Sequence, residues 1–178
     1  MTPQATEIAT VIYLLKESKI CLAQKKRHIH TKDGKELDKS KATWNGYGGK
    51  REDEDASIRD TAIRELYDEC GVKADLHNLI PAGRLRFFWP DNDSETPNMD
   101  VYFFFLATWE GEPIETDEMD KPIFFTMDNI PYHEMLPADK IFLPMMLANK
   151  KVVADVFFGK KDENGLPLFV IRDEELLV

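Results

Sequence analysis

Only two cysteines, Cys21 and Cys70, occur in 178 residues, too few for a disulfide framework and without the spacing of a zinc site. No apolar stretch approaches the ~18 residues that a membrane span needs, so a membrane is not an expected partner. The short apolar run at residues 9–15 is bounded by Glu7 and Lys16. It has neither a basic head nor a small-residue cleavage pattern, so no export leader is expected and a reducing cytoplasm is the expected compartment. Basic residues are in deficit, 23 against 33 acids, for a net charge of -10. That field repels a phosphate backbone, and with no long basic stripe to offset it a nucleic-acid polymer is not an expected partner either. Internal repeats and low-complexity tracts are lacking too. What is present, 43% hydrophobic, 11% aromatic and 31% charged residues, describes one folded domain over residues 1–178 with a radius of gyration of roughly 16 Å.

Charge is unevenly spread. Residues 25–41 carry seven Lys or Arg against three acids, whereas residues 91–139 carry thirteen acids and the single Lys121. A cation-rich loop beside an acidic half suits a site that handles an anion; a solvated loop on an acidic surface would look the same. The β-branched and aromatic run at residues 6–15, resumed at 19–25, predicts a hairpin. A long loop follows, with a turn at Asp33-Gly34. Residues 55–70 place Ile58, Ala62 and Leu66 four apart, the stripe of a buried helix, with Asp55 as expected N-cap and Gly71 as left-handed stop. Strands are expected at 85–89, 101–108 and 122–126. The second of these is apolar almost throughout and is therefore expected to be covered on both faces. A second helix should begin near Pro137 and be kinked or shortened by Pro144. A last hairpin is expected at 152–158 and 168–171 around Asn164-Gly165. The fold class is α+β, a mixed β-sheet sandwiched between α-helices.

Chemistry concentrates in residues 44–72, WNGYGGKREDEDASIRDTAIRELYDECGV. The turn with Gly46, Gly48 and Gly49 exposes backbone to a ligand. On the helix that follows, Glu65, Asp68 and Glu69 stand at i, i+3 and i+4, so their carboxylates project from one side. Three such charges repel unless neutralised, and a hard divalent cation with oxygen ligands, Mg²⁺, is the natural partner. The group has no His or Cys, which argues against zinc or copper. A merely acidic outer helix face would contain the same residues; the glycine turn before them, Arg64 and Gly71 favour the metal reading.

Residues 49–72 resemble the signature of the Nudix hydrolases, G-x5-E-x7-R-E-U-x-E-E-x-G-U with U aliphatic. The second half is close: Arg64, Glu65, Leu66, Asp68, Glu69, Gly71, Val72. The first half departs from it. Arg64 comes one residue late from Gly49, and Ala56 stands eight before it in place of Glu, so one extra loop residue is implied, with Asp55 or Glu54 substituting for the missing acid. Asp68 replaces a Glu and reaches less far. The segments WNGYGGK, NMDVYFF, ETDEM and MLPADKIFLP are further similar, in order and spacing, to the branch of the family that hydrolyses oxidised purine nucleoside triphosphates such as 8-oxo-dGTP. The basic stretch at residues 27–43 is then the main insertion.

The resemblance implies roles residue by residue. The Gly48 carbonyl, Glu65 and Glu69 would hold Mg²⁺, or Mn²⁺ in its place, with Asp68 supporting a second ion and Glu118 completing the group; Arg64 belongs to the same catalytic signature. Lys50 would meet a phosphate, Asn45 the base, and Asp139 one edge of a purine. Phe87, Trp89 and Met99 would form pocket walls. Ala138 stands where the family has a further Asp, and Leu136 where it has a Trp stacked on the base. The implied reaction cleaves a nucleoside triphosphate to the monophosphate and pyrophosphate. Three readings remain open: that reaction, hydrolysis of another diphosphate-linked compound such as a dinucleoside polyphosphate or nucleotide sugar, and a catalytically weak nucleotide-binding module. The partner implied is a small nucleotide; monomer and homodimer are both open.

Overall fold

A computed structural model describes residues 5, 7–26, 43–90 and 95–178; apart from Thr43 the basic insertion anticipated at 27–43 lies outside them. The strands are β1 (Glu7–Lys16), β2 (Lys19–Gln24), β3 (Trp44–Asn45), β4 (Ile80–Phe88), β5 (Met99–Leu106), β6 (Ile123–Thr126), β7 (Val152–Lys161) and β8 (Pro167–Ile171), and the helices α1 (Ile58–Cys70) and α2 (Asp139–Leu147). All eight strands form one sheet in the order β3-β2-β1-β5-β4-β7-β8, with β6 also on β2. β1 runs parallel to β5 and β4 parallel to β7, while the other pairs are antiparallel. The far edge of β2 is shared, since β6 pairs with Lys19 to Leu22 and β3 with Ala23 and Gln24.

The mixed sheet is covered on both faces. Side chains of a strand alternate in direction, and here Val101, Phe103 and Phe105 of β5 enter one core with Phe142, Leu143 and Met146 of α2, whereas Phe104 and Leu106 enter the other with Ala62, Leu66 and Cys70 of α1. This double cover accounts for the unbroken apolar run of β5. Each such ring or branched side chain stabilises the fold by roughly 2 kcal/mol when fully withdrawn from water. Strand β1 divides in the same way, with Ala9 and Tyr13 toward α2 and Ile12 and Leu14 toward α1.

Both hairpins turn at the expected residues. Glu17 and Ser18 take positive φ of 52° and 58° between β1 and β2, and Gly165 takes 75° between β7 and β8. Local expectation misjudged two places, the start of β4 and the cap of α1. β4 begins at Ile80, five residues before the predicted strand, because a register shift between Pro81 and Gly83 accommodates the proline. α1 is capped by Ser57, whose side chain accepts from Asp60 N. Asp55 is not its cap, being engaged by Arg64. α2 starts at Asp139, near Pro137 as expected, and ends at Leu147, with Pro144 inside it.

Candidate active site

The glycine turn leaves β3 and runs antiparallel along the first half of β1. Ile12 N donates to Tyr47 O at 2.6 Å and Thr10 N to Gly49 O at 2.9 Å. A Cβ on Gly48, whose φ is 153°, would lie 2.0 Å from Thr10 O, so only glycine fits there. One on Gly49 would lie 2.5 and 2.8 Å from the two Glu65 carboxylate oxygens. The turn is thus pressed between β1 and the acidic ridge of α1.

Helix geometry separates the three carboxylates of that ridge. At ~100° per residue, Glu69 lies ~40° to one side of Glu65 and Asp68 ~60° to the other. Glu69 is 1% exposed and accepts from Gly48 N at 2.7 Å. Glu65 lies against Gly49. Asp68 points outward, its side chain 56% exposed and 3.8 Å from Arg64. Among the described residues, no three of His, Cys, Asp and Glu converge closely enough to hold a metal by themselves. A backbone carbonyl completes the local donor set, and a cation already stands within it: Lys25 Nζ is 3.2 Å from Glu69 Oε1 and 3.3 Å from Gly48 O. Hard oxygens gathered around an ammonium fit Mg²⁺ or Mn²⁺ chemically. Burial pushes the Glu69 carboxyl upward, against the opposing pull of Lys25 and the Gly48 N–H.

Arg64 orients this ridge from its solvent side. Its Nε and Nη2 donate to the two oxygens of Asp55, each at 2.9 Å, and its Nη1 donates to Glu65 Oε1 at 2.8 Å. Asp55 also accepts from Thr61 Oγ1 and Glu52 N. The Arg64 guanidinium holds the Asp55 carboxyl well below the usual carboxylate range. Asp55, not Glu54, is therefore the acid that takes up Arg64. Glu118 sits on a strap tied to the end of α1: Thr116 Oγ1 donates to Glu69 O at 3.0 Å and accepts from Glu118 N at 3.3 Å, and Lys26 N donates to Glu118 O at 2.7 Å.

An apolar pocket of about 240 Å³ opens beside this group. Asn45, Lys50, Phe87, Trp89, Met99, Leu136 and Asp139, named from the sequence as ligand contacts, all line it, together with Gly48. Asn45 Oδ1 accepts from Gly46 N at 2.8 Å. Lys50 is turned to the rim, 2.6 Å from Glu7. The rings of Phe87, Trp89 and Phe158 lie nearly parallel, with centroids 5.2–6.2 Å apart. Asp139 is 4% exposed and accepts from Leu136 N at 2.9 Å; burial pushes its carboxyl up to about 7. Ala138 is buried beside it, and Leu136 is 42% exposed.

Sequence reasoning missed Lys25, Thr10, Phe103, Phe142 and Phe158, which also line the pocket. Lys25 belonged to a basic run with nothing to single it out, although its place just after the end of β2 and ahead of the glycine turn was a usable signal. Phe158 comes into place only through the parallel pairing of β4 with β7.

Residues 5–146 match the NUDIX domain family. The oxidized purine nucleoside triphosphate hydrolase of Danio rerio is 34% identical over 158 residues, covering 88% of this chain and 90% of that protein. The protein of the same name from Mus musculus is 30% identical over 157 residues, with the same coverage. Among solved structures, the MutT protein from Bacillus halodurans superposes with a TM-score of 0.69 at 20% identity, covering 95% of this chain and 99% of that one. A bifunctional NMN adenylyltransferase/ADP ribose pyrophosphatase from Francisella tularensis, complexed with AMP and a Mn ion, superposes with a TM-score of 0.57 at 16% identity. It covers 84% of this chain and 42% of that one.

Proposed function

Since the chain belongs to the Nudix hydrolases, we propose that it is a Mg²⁺-dependent pyrophosphohydrolase that cleaves purine nucleoside triphosphates, oxidised ones included, to the monophosphate and pyrophosphate. The observation that carries this reading is a shared boundary. Gly48 and Lys25 belong both to the oxygen-lined group on α1 and to the wall of the aromatic pocket. A ligand with a flat apolar end and a polyanionic end fits that arrangement. The names of the Danio rerio and Mus musculus relatives support the choice of nucleotide.

In this reading Gly48 O, Glu65 and Glu69 hold the metal, with Asp68 and Glu118 alongside. When bound, the ion neutralises charge developing on the phosphates and acidifies water. The rest falls to the chain. Asp55 fixes Arg64, and Arg64 fixes Glu65. Lys25 and Lys50 supply positive charge to the phosphate chain. A carboxylate of the group takes the proton of the attacking water. Phe87, Trp89 and Phe158 offer flat surfaces to a base, while Asn45 and Asp139 offer it hydrogen bonds. Withdrawal of the base into this pocket leaves the phosphates at the carboxylates.

Measuring nucleoside monophosphate release from dGTP, 8-oxo-dGTP, dATP, a dinucleoside polyphosphate and a nucleotide sugar, with Mg²⁺ and with a chelator, tests the proposal. Metal-dependent release from the purine triphosphates is expected. Turnover confined to the last two substrates, or none with any, would overturn it.

A further inference from the structure

Tyr13 is wholly buried in β1, yet its hydroxyl has no hydrogen-bond partner among the described residues. An orphaned buried hydroxyl costs stability, and phenylalanine would fill the same space without that cost. The ring is fixed by its neighbours: it stacks on Phe103 at 6.3 Å between centroids and packs against Phe105 at 6.1 Å. A Cβ on Gly46 would lie 2.9 Å from its Cδ1. Gly46 and Phe103 are pocket walls, so Tyr13 stands directly behind the pocket, in one packed core with Met135, Ala138 and Phe142. Among the groups in electrostatic range of its hydroxyl are Asp139 and Tyr132. Burial first, then the Asp139 carboxylate, then Tyr132, push the phenol upward, so it stays protonated and available as a donor.

Asp139 is the charged group nearest in role. One of its oxygens is committed to Leu136 N at the start of α2, while its side chain also lines the pocket. Its sequence neighbours, Ala138 and Lys140, are not acids that could share its proton.

We propose that Tyr13 is a positioning residue for base recognition: in the ligand-bound state its hydroxyl donates to Asp139 and holds that carboxylate as an acceptor facing the base. The inference rests on the nucleotide reading above and deepens it. A carboxylate so held favours a base edge that presents adjacent N–H donors, as guanine does, over one that presents a ring acceptor, as adenine does.

The test is Tyr13→Phe, measured with dGTP, 8-oxo-dGTP and dATP beside the wild type. Discrimination between the guanine and adenine substrates should shrink about tenfold. The change should fall on KM rather than kcat, with a melting temperature equal to or above that of the wild type. An unchanged ratio with a raised melting temperature would identify a merely structural hydroxyl and overturn the inference. A wild type that hydrolyses none of the three removes the nucleotide reading, whereas an active wild type with an insensitive variant removes this inference alone. Should the variant fail to fold, a crystal structure of the wild type with a non-hydrolysable dGTP analogue decides. Tyr13 Oη hydrogen-bonded to the Asp139 carboxylate supports the inference, and Oη still unpaired overturns it.

Discussion

Replacing Asp139 by Asn exchanges an ionisable group for a neutral one of the same shape, and the amide oxygen can still accept from Leu136 N. The carboxyl titrates at about 7 in the fold against 3.8 for an ordinary aspartate, chiefly because burial disfavours its charge. Between those values the folded chain keeps a proton that the unfolded chain has released, so stability falls as pH rises through the interval, and the penalty is complete above about pH 7. At ~1.4 kcal/mol per pH unit, the whole interval is worth about 4 kcal/mol. About 3 kcal/mol of that develops between pH 5 and pH 8. The Asn variant escapes this penalty. Its stability relative to the wild type should therefore rise by about 3 kcal/mol from pH 5 to pH 8 and level off beyond. Urea denaturation of both proteins at closely spaced pH values, without nucleotide or metal, measures this directly. A difference that stays constant across the range would refute the reasoning, because it would mean that the carboxyl ionises in the fold as easily as in the free chain. The same variant should lose discrimination among purine bases, as the pocket loses the buried carboxylate of Asp139.

Three further outcomes are expected. Glu69→Gln keeps an acceptor for Gly48 N–H but removes the buried charge beside Lys25; kcat should drop about 100-fold or more with little change in melting temperature, checked by pyrophosphate release and thermal melts. Asp55→Asn deprives Arg64 of one of its ionised partners, which should cost about 2 kcal/mol at neutral pH and slow turnover by loosening Glu65. Because the Asp55 carboxyl is held below its usual range, its contribution is present above the ordinary value and lost in acid. The stability gap between variant and wild type should therefore close as pH falls below about 4, as followed by denaturation at low pH. Leu136→Trp places a ring at a pocket position that is 42% exposed, and KM for a purine triphosphate should fall about five- to tenfold through stacking, as read from substrate titrations.

Much of the fold could be read from the chain because the signals were local. The four-residue spacing of Ile58, Ala62 and Leu66, the positive-φ turn at Asn164-Gly165 and the apolar run of β5 each reflect the period or punctuation of a single element. The acidic ridge was legible for the same reason, as was the glycine turn ahead of it. Boundaries set by competition between neighbours were not. Asp55 had every property of a helix cap, but Arg64 lies nine residues on and offers two charge-assisted hydrogen bonds where a cap offers one weaker bond, so Ser57 took the cap. From the residues, the ridge showed three carboxylates on one side of a helix, with Asp68 the shortest. Only its docking against the turn decided which of them face inward.

By itself the sequence determined that a helix carries Glu65 and Glu69 on one side, that a glycine turn precedes it, and that an apolar sheet lies beneath, since periodicity and backbone permissiveness are properties of short segments. Tertiary structure alone decided that Lys25 stands between Glu69 and Gly48, that Phe158 joins Phe87 and Trp89, and that Asp68 faces water. Those outcomes depend on strand register and helix docking across long separations, and these are set by the joint burial of two cores that no short stretch of the chain contains.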